Sequence, residues 1–112
     1  MFRLTLNRVR DSIAVRESNE EIKLKVDADP RIMVTRIREA QKLLNSANDP
    51  QTTDQQRQEA VKAFSEAIFG PEQAEALAEF YNGDYSCVLT ICGMYFEKRL
   101  CKKIIAAQKK QR

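Results

Sequence analysis

The chain begins with a period of two. Phe2, Leu4 and Leu6 alternate with Arg3, Thr5 and Asn7. Ile13 and Val15 continue the pattern, and Ile22, Leu24 and Val26 alternate with Lys23, Lys25 and Asp27. Successive side chains of a strand point to opposite faces, so this spacing predicts strands with one wet face. The polar run "RESNEE" between the last two segments is turn-prone, and residues 12–27 read as a hairpin. Two or three short strands are not stable alone in water and must cover their apolar face with helices.

From Asp29-Pro30 the period changes. Asp29 can cap a helix, and Pro30 fits its first position. Met33, Ile37, Ala40, Leu44 and Ala47 recur at four and three residues, a helical stripe reaching about residue 47. The loop "SANDPQTTD" follows, and Thr53 with Gln56 forms a capping box for a second helix. Val61, Phe64 and Ile68 are its stripe, and Gly70 stops it. Pro71 opens a third helix, with Glu72 in the first turn and Ala74, Leu77 and Tyr81 on one face. Asn82-Gly83 ends that helix and Asp84 caps a fourth. The expected fold is α+β: a short N-terminal antiparallel hairpin or small sheet over residues 1–28, then about four helices over residues 29–112, in one domain.

From Tyr85 to the end only Gly93 interrupts helical sequence. Such a helix would be about 42 Å long, against roughly 34 Å for the diameter of a compact body of this size. Its end is expected to project, bend back or fray. The apolar residues fall into two clusters. Tyr85, Val88, Leu89, Cys92, Tyr95 and Phe96 mark one face early, and Leu100, Cys101, Ile104, Ile105 and Ala107 mark one late. At about 100° per residue the two centres differ by about a third of a turn.

Charge sharpens this region. Residues 98–112 hold seven basic side chains and no acid, while the other 97 residues carry 12 basic and 16 acidic groups. The late apolar cluster either packs on the sheet or docks another chain. For docking, the candidate partner-binding residues are Leu100, Ile104, Ile105 and Ala107, with Lys98, Lys102 and Lys103 meeting acidic groups. A small adaptor or regulator whose basic last helix binds nucleic acid is the alternative, although no reader motif accompanies the basic end.

Composition removes much chemistry. There is no histidine, and so neither the commonest general base nor the commonest metal ligand. Cys87, Cys92 and Cys101 are odd in number and form no CxxC pair, so they read as small buried hydrophobes. No apolar run is long enough for a membrane span or signal peptide, and a cytoplasmic protein is expected. The breaks at Gly70-Pro71 and Asn82-Gly83 match no phosphate-binding pattern, and Glu72 and Asp84 occupy the helix starts that would hold an anion. They read as helix joints. No catalytic, cofactor-binding or metal-binding residue is expected.

The layout resembles the small tail assembly chaperones of long-tailed phages and prophages, especially those of Gram-positive hosts. A strand pair, "DSIAVRESNEEIKLKVDAD", leads into a helix, and "AVKAFSEAIFGPEQAEALAEFYNGDYSCVL" comes late in the chain. Val61, Phe64, Ile68, Phe69, Gly70 and Pro71 carry the likeness, then residues 81–85 and the closing amphipathic helix. The resemblance implies a non-enzymatic protein of the host cytoplasm. It would bind the tape measure protein, help tail tube subunits assemble around it, and self-associate. Nucleic acid is then not the expected partner.

Overall fold

The computed structural model describes residues 1, 2 and 7–110. Strands β1 (Val9–Glu17) and β2 (Glu20–Ala28) form an antiparallel two-stranded sheet, with Val9 opposite Ala28 and Glu17 opposite Glu20. The helices are α1 (Pro30–Ser46), α2 (Asp54–Phe69), α3 (Pro71–Phe80), α4 (Tyr85–Tyr95) and α5 (Cys101–Lys110), the last two joined by a π-helical turn, Phe96–Leu100. The α+β class expected from the pattern is the observed one. The hairpin starts three residues earlier than its alternation indicated, because Val9 already faces the core. The expected strand at Phe2, Leu4 and Leu6 lies, apart from an exposed Phe2, outside the described residues.

The joints obey local chemistry. Ser18 turns the hairpin at φ 57°. Asp29 accepts the Arg31 N–H at 2.9 Å and caps α1. Thr53 and Gln56 form the reciprocal capping box of α2. Gly70 ends α2 at φ 83°, which a side chain would resist, and Pro71 starts α3 directly. Asp84 accepts the N–H groups of Ser86 and Cys87 and starts α4.

α2 is the central element. Its Val61, Phe64, Ala67 and Ile68 are buried with Met33, Ile37 and Ala40 of α1, Leu24 and Val26 of β2, and Val88 and Cys92 of α4. Phe64 meets Phe96 edge to face at 6.1 Å, and Phe69 stacks on Tyr95 at 5.8 Å. The last helix does not stand clear of this body. α5 packs on α1 and β1, and Leu100 (0% exposed), Ile104 and Ala107 sit in the core. The expectation that its end would project, bend back or fray assumed a sphere, whereas the molecule measures 57 × 36 × 22 Å. A helix of about 39 Å lies along such a body without overrunning it. No helix among the described residues is long and apolar enough to cross a membrane.

Candidate binding surface

The π turn explains the offset between the two apolar clusters. The Cys101 N–H reaches back five residues to the Phe96 carbonyl. The extra residue in this turn rotates α5 back by about 100° relative to an uninterrupted α-helix. Leu100, Ile104 and Ala107 thereby return to the side that buries Val88, Cys92 and Tyr95. Of the residues expected to dock a partner, these three are instead sealed into the chain's own core. Ile105 is 48% exposed, Lys98 and Lys102 are exposed, and Lys103 is half-buried.

A buried carboxylate locks this arrangement. Asp11 occupies an inward position of β1, between Val9 and Ile13, with 4% of its side chain exposed. It accepts the Tyr95 hydroxyl at 2.8 Å and pairs with Arg99, whose Nε lies 2.7 Å away. Lys103 approaches at 4.0 Å and donates to the Arg10 carbonyl at 3.4 Å. Burial pushes the Asp11 carboxyl up, but the bonds from Tyr95 and Arg99 outweigh it and hold the pKa below 3.8. The Tyr95 phenol is held protonated by burial, and by Asp11 beside it. Arg99 and Lys103 therefore serve the fold. Sequence reasoning missed Asp11, although its sign was present: a carboxylate in the inward series Val9, Asp11, Ile13, Val15.

An opening between α2, α3 and the start of α4 has a volume of ≈ 370 Å³. Helical spacing brings its lining together. Lys62, Ser65 and Glu66 come from one side of α2, Pro71, Ala74, Glu75 and Ala78 from one side of α3, and Tyr85 and Val88 from the first turn of α4. The walls are mixed: Pro71, Ala74, Ala78 and Val88 are small and apolar, and Lys62, Ser65, Glu66 and Glu75 are polar or charged. Glu66 and Glu75 form no ion pair among the described residues. The groove lining itself carries Glu66 and Glu75 against Lys62, a slight acidic excess. A groove of this kind is complementary in charge to an amphipathic helix whose basic groups face two glutamates.

Two features fix the groove's shape. Gln73 on α3 mimics a neighbouring strand. Its side-chain oxygen accepts the Lys25 N–H at 2.7 Å, and its amide nitrogen donates to the Lys25 carbonyl at 2.6 Å and to the Phe69 carbonyl at 2.8 Å. This ties α3 to the open edge of β2 and covers part of an edge that would otherwise be unpaired. Beneath the groove, burial pushes the Cys92 thiol up to about 11, against a smaller downward pull from the Ser65 hydroxyl. That hydroxyl has no partner in hydrogen-bonding geometry, so the two groups are polar neighbours rather than a formed bond. Cys92 is therefore a packed, protonated thiol. Searches against family models, curated proteins and solved structures gave no match to this chain.

Proposed function

We propose that this protein is a non-enzymatic tail assembly chaperone of a long-tailed phage or prophage, binding the tape measure protein and helping the tail tube assemble around it. The observation that supports this most is the α2–α3–α4 groove. It is built from the stretch that carries the resemblance: Gly70-Pro71 sets the angle of α3, and Asn82-Gly83-Asp84 sets that of α4. The two joints hold Ala74, Glu75 and Ala78 opposite Glu66 and Tyr85. A long helical client offers the matching shape, an apolar stripe flanked by charge. Chaperoning needs no reacting group. It needs a partly apolar trough that opens to solvent and a charged rim that keeps empty troughs from sticking to one another.

Co-expression with the tape measure protein encoded beside its gene tests this. The expected result is a soluble complex that Ala78→Arg and Glu75→Lys each weaken while the thermal midpoint of the free protein moves little. A tape measure protein that stays insoluble, or a complex indifferent to both substitutions, contradicts the proposal. The nucleic-acid alternative has less to draw on, because Arg99 and Lys103 are already engaged by Asp11. Lys98 and Lys102 remain exposed, so their contribution is read by the salt dependence of any binding.

A further inference from the structure

α1 carries a second stripe that the core does not use. Ile32, Arg36, Glu39 and Leu43 are spaced at four, three and four residues, which places them on one side of the helix. All four are exposed, Ile32 at 53% and Leu43 at 51%. Arg36 and Glu39 form no ion pair among the described residues. Depressions flank the stripe. One of ≈ 550 Å³ is lined by Ile32, Thr35, Arg36 and Glu39. Another of ≈ 340 Å³ lies between Leu43 and the small residues Ala40, Ala63 and Ala67, with Glu66 and Pro71 also in its lining.

The order of this stripe is a palindrome: apolar, charged, oppositely charged, apolar. We infer that it is the contact between two copies of this chain, paired antiparallel along α1 about a two-fold axis. In that register Ile32 of one copy meets Leu43 of the other, and Arg36 meets Glu39, each contact occurring twice. Each Ile32 then enters the alanine-lined depression beside the other copy's Leu43, and each Leu43 enters the one beside Ile32. A two-fold contact requires one patch to complement itself, and this stripe does so in both shape and charge. The opposite-charge pairs fix register and exclude the parallel arrangement, in which like charges would be brought together. The contact is of modest area, so the dimer is expected to be reversible. The depression beside Leu43 shares Glu66 and Pro71 with the client groove, but the substitutions that test the two readings, at 36 and 39 against 75 and 78, do not overlap, so the readings are tested separately.

Sedimentation equilibrium over a range of protein concentrations tests it. The wild-type chain is expected to pass from monomer to dimer as concentration rises. Arg36→Glu alone, and Glu39→Arg alone, set like charges against each other twice per dimer. Each should weaken dimerisation at least about ten-fold, with unchanged far-ultraviolet circular dichroism. An equimolar mixture of the two single variants brings only opposite charges together, and dimers should return. The double variant Arg36→Glu/Glu39→Arg should also dimerise. A wild-type chain that stays monomeric up to about 1 mM, in the weakest affinity range, overturns the inference. So does a dimer that neither single variant weakens, or a mixture that fails to recover it.

Discussion

Asp11 shows how one polar side chain decides the placement of a whole helix. A carboxylate facing the core is costly unless paired and fully hydrogen-bonded, and here Tyr95 and Arg99 both satisfy it. Replacing it with Asn keeps the shape and loses the charge. Because Arg99 is 57% exposed and screened by water, the expected loss at neutral pH is about 1–2 kcal/mol. The lowered pKa sets the sign with pH. Between the folded value and 3.8 the unfolded chain holds a proton that the native chain does not, so stability rises with pH there. This contribution is intact above about pH 4 and is lost as pH falls through the folded value. Urea midpoints from pH 7 to pH 2.5 should therefore show the gap between wild type and Asp11→Asn narrowing below about pH 4, the ordinary Asp range. A gap constant with pH would mean that the carboxylate charge is not what Tyr95 and Arg99 recognise.

The caps and breaks of the helices were legible because each rests on two or three neighbouring residues. Thr53 with Gln56, Asp29 with Pro30, and Gly70 with Pro71 all did what their chemistry dictates. The long last helix was legible only as a conflict, two apolar clusters a third of a turn apart. Its resolution by a π turn depends on contacts with β1 that lie far away in sequence. Deleting Lys98 should convert that turn to regular α-helix while keeping Leu100, Ile104 and Ala107 inward, and the variant should fold. Inserting one Ala after Lys98 should rotate α5 about 100° further and lose far more stability, visible as a lower thermal midpoint. Equal damage from both changes would show that α5 is not held by rotational phase. Gly93, half-buried near the end of α4, offers a gain instead. A Cβ there meets no atom within 4 Å, so Gly93→Ala should stabilise the fold by about 0.5–1 kcal/mol. A loss of stability would show that the site is tighter than its geometry indicates.

A wet hairpin face and a basic last helix lie on elements separate from the α2–α3 groove, whereas the depression beside the α1 stripe adjoins the groove at Glu66 and Pro71. The sequence contained the parts of the groove, but not their convergence. Pro71, Ala74 and Ala78 looked like one face of a short helix, and nothing local said that Tyr85 and Val88 would close the other wall. Gln73 was illegible for the same reason, since its bonds to Lys25 span 48 residues. Three of the docking residues expected from the basic end were misplaced because a helix stripe announces burial without naming what buries it. Leu100, Ile104 and Ala107 are buried by their own chain. Hydrogen–deuterium exchange of the protein, free and mixed with the tape measure protein, tests the binding reading most directly. Slower exchange is expected across α3 and the first turn of α4, from Pro71 through Val88, with α5 unchanged. No added protection in that stretch, or protection confined to residues 98–110, would contradict it.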